Sequence, residues 1–168
     1  SVDATRKWQT LASVGEFSGE LWEPKIEVVL DTKKKTISII DQGIGMTAEE
    51  VDKYLNQVAF SSAEEFLAKY KGQNEASIIG HFGLGFYSSF MVATQVEVFT
   101  KSWKADAPAM RWECDGSPEY ILEETTDRTE RGTEIRLHVD KDSEEFLDEY
   151  KLKAMLEKFC KFLPVPIY

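Results

Sequence analysis

A glycine-rich stretch at residues 79–89 carries residue types suited to binding phosphate. Gly80, Gly83 and Gly85 lie within six residues, and an apolar run that predicts a helix follows them. Because glycine has no Cβ and tolerates positive φ, its backbone N–H can face an anion, and a helix N-terminus favours anions as well. A tight turn or a close helix contact also uses glycine, so this stretch alone leaves the phosphate-site and the packing interpretations open.

A second segment suited to ligand binding, Asp-Gln-Gly-Ile-Gly-Met at residues 41–46, follows a predicted strand. The carboxylate of Asp41 can accept a hydrogen bond from an exocyclic amine, such as that of adenine. Gly43 and Gly45 leave room for a flat base, and the thioether of Met46 can pack on its face. An ordinary Asp-Gly turn after a strand is the alternative interpretation.

A third segment, Arg131-Gly132-Thr133, opens another predicted strand, where a hydroxyl can bridge through water to a base or to Asp41. By itself this segment carries little information. The order of the three segments within a single domain carries more information. A strand leads into DxGxG, helices follow, GxxGxG then leads into another helix, and the Gly-Thr pair finally opens a strand. No Lys-Ser or Lys-Thr follows the glycines, so the pattern is not a P-loop. It is also not the dinucleotide-binding GxGxxG after a strand.

Hydrophobic periodicity and turn residues predict the elements that position these segments. The predicted strands are residues 25–30, 36–40, 95–101, 110–114, 120–123 and 133–139, of which the first two form a hairpin. The predicted helices are residues 1–8, 48–55, 63–70, 87–93 and 147–163. Thr47 and Glu50 predict a capping box at the start of the second helix. His138 shares the polar face of its strand with Glu134 and Arg136, which favours an exposed position over a ligand role.

Length and composition limit the class of protein. The chain has 168 residues, 42% of them apolar, which suits one globular domain with a sizeable core. No apolar run reaches the roughly 20 residues of a membrane helix and no signal peptide is recognisable, so a cytoplasmic protein without a membrane partner is expected. Cys114 and Cys160 have no partner at metal-binding spacing, which indicates two reduced thiols.

The chain is strongly acidic, with 30 acidic and 20 basic residues and a net charge of −10. Such a field repels polyanions, so no nucleic-acid partner is expected. The negative electrostatic field of the chain also opposes the binding of a nucleoside triphosphate. An ATP site here would therefore need backbone dipoles and a divalent metal, which implies Mg²⁺ if ATP binds.

Four motifs in this order resemble those of the GHKL superfamily of ATP-binding domains, found in gyrase, histidine kinases, mismatch-repair proteins and heat-shock chaperones. They are residues 2–4, 41–47, 79–88 and 131–133. Within the superfamily, the chain is most similar to the ninety-kilodalton heat-shock chaperones of the bacterial HtpG type, over essentially its whole length. The resemblance implies an α+β fold, a two-layer sandwich with helices on one face of a mixed, mostly antiparallel sheet (the GHKL or Bergerat fold).

The resemblance also implies a site for ATP or ADP. The residues expected to bind nucleotide are Asp3, Lys7, Asp41, Gly45, Met46, Leu55, Gly80, His81, Phe82, Gly83, Leu84, Gly85, Phe86 and Thr133. By motif position Asp41 should accept the adenine amine, and residues 80–86 should cradle the phosphates. The base should be lined by Gly45, Met46 and Thr133, and the sugar and phosphates should be faced by Asp3 and Lys7. For Phe82 and Phe86, core packing is an equal alternative.

The chain departs from the family pattern in three places. The first family motif is Glu-x-x-x-Asn-x-x-Asp-Ala, in which the glutamate orients the attacking water and the asparagine holds magnesium. Both positions fall before Ser1, so no catalytic or metal-binding residue is expected in this chain. Mg²⁺ should be held through the nucleotide phosphates, and hydrolysis by the chain alone should be nearly absent. The first strand and the start of the first helix should also lie upstream. His81 replaces the usual glutamine, and Phe60 stands where a basic residue is common.

The expected function is that of a chaperone's ATP-binding domain at residues 1–163, with a lid at about 58–79 and a linker to a middle domain starting at 164–168. In the intact protein, ATP binding and hydrolysis would drive lid closure and clamping of a homodimer on unfolded client proteins, which other domains hold. One alternative is a mismatch-repair or topoisomerase-type ATPase, which the acidity and residues 86–92 disfavour. Another is a truncated interaction module that no longer binds nucleotide.

Overall fold

The computed structural model describes residues 1–15, 23–57 and 86–168 of the chain. Its strands are β1 Ile26–Asp31, β2 Thr36–Asp41, β3 Ala93–Lys101, β4 Met110–Cys114, β5 Tyr120–Glu124 and β6 Gly132–Val139. They form one six-stranded sheet in the order β1-β2-β6-β3-β4-β5, and each neighbouring pair is antiparallel. All six strands, and the β1–β2 hairpin, lie where the alternation of the sequence predicts them.

The helices are α1 Val2–Ser13, α2 Ala48–Val51, α3 Glu149–Cys160, a π-helix Asp52–Gln57 that continues α2, and 3₁₀ helices Tyr87–Met91 and Lys141–Leu147. The capping box of α2 is present, since Glu50 N–H donates to Thr47 Oγ1 and Thr47 N–H donates to Glu50 Oε2. The helix predicted at 147–163 begins later because Asp148 caps α3 through the backbone N–H of Lys151. The helix predicted at 63–70 and the lid lie outside the described residues.

The inner face of the sheet carries the hydrophobic core. Alternate residues of β3, such as Val96 and Val98, point to this face and pack against α2 and the π-helix. The core residues are Val51, Leu55, Ala93, Val96, Val98, Trp112, Cys114 and Leu137, with Met46, Phe86, Phe90, Val92, Leu122 and Ile135 packed against them. The structure therefore has the expected α+β architecture, with helices on one face of an antiparallel sheet.

The outer face of the sheet is polar and highly charged. Glu97, on β3, accepts hydrogen bonds from Arg111 on β4 and pairs with Arg136 and His138 on β6. His138 does lie on the polar face, but the prediction of an exposed histidine was too simple. Its ring nitrogen is 2.8 Å from Glu97 Oε2 and the side chain is half-buried, because the neighbouring strands bring the two groups side by side.

The end of the chain lies along the outer edge of β1. The N–H of Ile26 donates to the carbonyl of Pro166, and the N–H of Val28 donates to that of Tyr168. Ile26 and Ile167 form an isolated parallel bridge, and Val165 is buried. A role for residues 164–168 as a linker stays a prediction. Within the described ranges, no helix is both long enough and apolar enough to cross a membrane.

Candidate functional site

The carboxylate of Asp41 lies at the end of β2 on the inner face of the sheet. It is only 2% exposed, and its Oδ1 accepts a hydrogen bond of 2.9 Å from the N–H of Gly43. Its Oδ2 lies 3.9 Å from the nitrogen of Ser1 at the start of α1. A buried carboxylate needs polar partners, so the position suits an acceptor for one more donor.

Thr133 lies directly beside Asp41, although the two residues are far apart in the sequence. They are register partners on β6 and β2, so their side chains point to the same face. The hydroxyl of Thr133 is 2.9 Å from the hydroxyl of Thr100 on β3. The same Thr100 oxygen accepts the N–H of Met46 at 2.9 Å. The structure therefore brings the second and third sequence motifs together at one end of the sheet.

Gly45 and Gly132 allow two backbone segments to approach closely. Gly45 has φ of +62°, and a Cβ on it would lie 1.8 Å from the carbonyl oxygen of Lys101. Gly132 has φ of +119°, and a Cβ on it would lie 2.1 Å from the carbonyl oxygen of Asp41. Both glycines are required by packing within the chain, and for Gly45 this is a different reason from the space for a base that the sequence suggested. A contact of Gly45 with nucleotide stays a prediction.

Asp3 and Lys7 lie one turn apart on α1 and line a cavity of about 520 Å³. The other residues that line it are Arg6, Thr10, Leu11 and Ile44. The N–H of Ile44 donates to the carbonyl of Ala4 at 3.2 Å, so α1 is bonded directly to the loop after β2. The predicted site residues thus form two groups, one at the sheet end around Asp41 and one on α1, and the Ile44–Ala4 contact joins them.

Two other predicted site residues belong to the hydrophobic core. Leu55 is buried, and its carbonyl accepts a hydrogen bond from the hydroxyl of Tyr87 at 2.7 Å. Phe86 packs edge-on against Trp112, with ring centres 5.5 Å apart. The packing alternative for Phe86 therefore has direct support. The six remaining predicted residues, Gly80, His81, Phe82, Gly83, Leu84 and Gly85, lie outside the described residues.

Burial raises the pKa of Tyr87 to about 12, with a smaller contribution from Cys114. Its hydroxyl thus stays protonated and donates to Leu55 over the physiological pH range.

Two arginines that the sequence did not identify as site residues hold the loop after β2. Arg128 donates to the carbonyl of Asp41 at 3.0 Å, and Arg131 donates to the carbonyls of Gln42 and Gly43. Burial lowers the pKa of both guanidinium groups, while the charge of Asp41 opposes that shift. Arg131 is the first residue of the third motif but was given no role there, and the only sequence signal for Arg128 was its proximity to that motif.

The described ranges contain no group of three His, Cys, Asp or Glu side chains placed to hold a metal ion. The two cysteines there are free; Cys114 is buried and Cys160 is partly buried.

The chain matches a known protein family over most of its length. Residues 4–143 match the family of histidine kinase-, DNA gyrase B- and HSP90-like ATPases. The chain belongs to this ATPase family. Membership confirms the resemblance inferred from the four motifs, and the observed sheet and helices are consistent with the family fold.

Curated relatives of this ATPase family member are bacterial chaperones. The chain is 56% identical over 167 residues to chaperone protein HtpG of Porphyromonas gingivalis, and 58% identical over 167 residues to that of Bacteroides fragilis. Each alignment covers 99% of this chain and 24% of the relative. HtpG of Geobacter metallireducens is 42% identical over 149 residues, which cover 86% of this chain and 23% of the relative. The chain thus spans about a quarter of the length of these relatives.

Proposed function

We propose that this chain is the ATP-binding domain of a chaperone similar to HtpG, and that it binds an adenine nucleotide at the end of the sheet marked by Asp41. The observation that carries the proposal is the pairing of Asp41 with Thr133 on the inner face, in a chain of this ATPase family. Two motifs that are far apart in the sequence meet there, beside the N–H of Met46.

The residues fit the chemistry of an adenine nucleotide. Asp41 would accept a hydrogen bond from the exocyclic amine of adenine. Its Oδ1 accepts the N–H of Gly43, and its Oδ2 lies 3.9 Å from the Ser1 nitrogen, which is longer than a hydrogen bond. The hydroxyl of Thr133 can donate or accept beside the base. Arg6 and Lys7 would supply positive charge to the sugar-phosphate end of the ligand in the α1 cavity. Mg²⁺ would enter with the nucleotide and be held through its phosphates.

The activity of the whole protein is part of the proposal. The relatives are named chaperones, which favours a chaperone ATPase over a mismatch-repair or topoisomerase ATPase. In the intact protein, ATP binding and hydrolysis would drive lid closure and homodimer clamping, and would act on unfolded client proteins in the cytoplasm. We also propose a phosphate cradle at residues 80–86, a lid at about 58–79 and a domain boundary near 163. That hydrolysis by the 168-residue chain alone is nearly absent stays a prediction, which a phosphate-release assay would measure.

Nucleotide selectivity tests the proposed site. Mg-ADP at a hundred times its Kd should stabilise the chain by about 2.7 kcal/mol, which is a rise in Tm of about 5 to 10 °C for a domain of this size. Mg-GDP should give a much smaller rise in Tm, because guanine has a carbonyl oxygen at the position where adenine has its amine. Asp41 would accept a hydrogen bond from that amine but cannot accept one from a carbonyl oxygen. Equal shifts with both nucleotides would contradict the role of Asp41. No shift with millimolar Mg-ADP would favour an interaction module that does not bind nucleotide.

A further inference from the structure

We propose that Arg131 is a positioning residue of the nucleotide site: its guanidinium stacks on Trp8 and donates to the loop after β2, and so fixes α1 relative to Asp41. This inference rests on the proposed function. It adds a residue outside the expected ligand set.

The contacts of Arg131 join two walls of the candidate site. Its guanidinium carbon is 3.5 Å from the centre of the Trp8 ring, and Trp8 is a buried residue of α1. Its Nη1 donates to the carbonyl of Gly43 at 2.8 Å and also to that of Gln42. One planar group thus presents its face to the helix and its edge to the loop.

These two walls carry the residues expected to bind different parts of the ligand. Asp3 and Lys7, on the Trp8 helix, line the cavity expected to hold the sugar and phosphates. Asp41 precedes the loop that Arg131 holds. The Ile44 N–H donates to the Ala4 carbonyl at 3.2 Å, which bonds the two walls directly, and this bond lies next to the Arg131 contacts. The nitrogen of Ser1, at the start of α1, lies 3.9 Å from Asp41 Oδ2 and is a second contact between the walls. The guanidinium adds an aromatic stack and two hydrogen bonds to these contacts, so its loss should loosen the spacing of the walls.

Lysine cannot reproduce this geometry. A guanidinium is planar and delocalised, so it can stack on an aromatic face while its N–H groups donate in the ring plane, whereas an ammonium group is a compact point charge. Arg128 provides a contrast, since its hydrogen bonds in the described part of the chain go to the carbonyls of Asp41, Glu130 and Arg131. Arg128 therefore holds the loop from the sheet side, and Arg131 holds it to α1.

Amide hydrogen exchange, followed by NMR without nucleotide, tests the positioning directly. In Arg131→Met, exchange at the Ile44 N–H should be about tenfold faster than in the wild type. Exchange at the Met46 N–H, which donates to Thr100, should be unchanged. The matched control is Arg136→Met, because Arg136 also stacks on an aromatic ring, Phe99 at 4.6 Å, but on the outer face. Unchanged exchange at Ile44, or equal acceleration at both amides, would overturn the proposal.

Nucleotide affinity tests the consequence for the site, with all variants measured well below their Tm. Arg131→Met and Trp8→Leu should each bind Mg-ADP about tenfold more weakly than the wild type, and the double variant no more weakly than the worse single variant. Arg131→Lys should restore little of the loss. Full recovery by lysine, or additive losses in the double variant, would overturn the stacking link. Absence of ADP binding by the wild type would instead refute the proposed function, and hydrogen exchange would still decide the role of Arg131.

Discussion

Glu97 is the most extensively paired carboxylate of the outer sheet face. It is 7% exposed and lies 2.8 Å from both Arg111 and His138, with Arg136 at 3.5 Å. Burial raises the pKa of Glu97, but the hydrogen bonds from His138 and Arg111 and the charge of Arg136 outweigh it, so the pKa in the folded state is below its ordinary value. Glu97 therefore stabilises the fold above the unfolded-state pKa of about 4.3, and this contribution is lost as pH falls through the lower, folded-state pKa.

Glu97→Gln should lower the free energy of unfolding by about 2 kcal/mol at pH 7, because two arginines lose a buried charged acceptor. The difference from the wild type should shrink as pH falls below about 4.3, since Glu97 becomes neutral in the wild type too. Urea unfolding at several pH values measures both effects. The matched control is Glu123→Gln, which removes an exposed partner of the same Arg111 and should cost less than about 1 kcal/mol. A pH-independent difference for Glu97→Gln would contradict this account.

The two cysteines should differ in reactivity. Cys114 is buried, and burial raises the pKa of its thiol, an effect that Asp115 adds to and the Gly116 N–H opposes. Cys160 is partly exposed on α3. Because the thiolate is the reactive form, N-ethylmaleimide at pH 8 should modify Cys160 at least about tenfold faster than Cys114. Mass spectrometry gives both rates, and Cys160→Ser should retain only the slow reaction. Comparable rates would show that Cys114 is accessible.

The sequence revealed some residues of the candidate site and not others for a physical reason. Asp41 belongs to a local pattern, a strand followed by an Asp-Gly turn, so its position at a strand end could be predicted. Arg131 donates to carbonyls of Gln42 and Gly43, far along the chain. Contacts between a side chain and distant backbone carbonyls leave no local pattern, because every residue has a carbonyl.

At the scale of elements, the capping box of α2 links the site loop to the core. Thr47 follows Met46 directly, and Val51 at the end of α2 is fully buried in the core cluster. The cap therefore fixes where the loop after β2 ends and where the helix begins.

Thr47→Ala should lower the free energy of unfolding by about 1 kcal/mol, because the N–H of Glu50 loses its acceptor at the helix start. Thr47→Ser keeps the hydroxyl and should cost only a few tenths of that amount. Urea unfolding of the two variants gives the comparison. If serine and alanine were equally destabilising, the methyl group of Thr47, and not the cap, would carry the stabilisation.

Elements with a strong period could be predicted, and elements that depend on tertiary contacts could not. The alternation along β6 gave its face assignment, with Leu137 inward and Arg136 outward, because the period of a strand is set by the backbone. The change from α2 to a π-helix at Asp52–Gln57 was not predicted. There the buried Asn56 accepts the indole N–H of Trp112 at 2.9 Å, a contact with the sheet that no helical period encodes.

At the scale of the molecule, strand order creates the candidate site. Placing β6 between β2 and β3 brings Thr133 beside both Asp41 and Thr100, and leaves the charged residues on the opposite face. Composition indicated an acidic globular domain, and the four motifs indicated the fold through their resemblance to a family. Periodicity alone did not give the strand order, since it defines strands but not their neighbours.

The central claim is that Asp41 holds an adenine nucleotide, and calorimetric titration of Mg-ADP into the wild-type chain, Asp41→Asn and Asp106→Asn tests it most directly. Asp106 is an exposed aspartate in the segment between β3 and β4, so its substitution is the matched control. We predict measurable binding by the wild type and Asp106→Asn, and a loss of at least about a hundredfold in affinity for Asp41→Asn with its fold intact by circular dichroism. Equal affinity of folded Asp41→Asn and the wild type would contradict the claim.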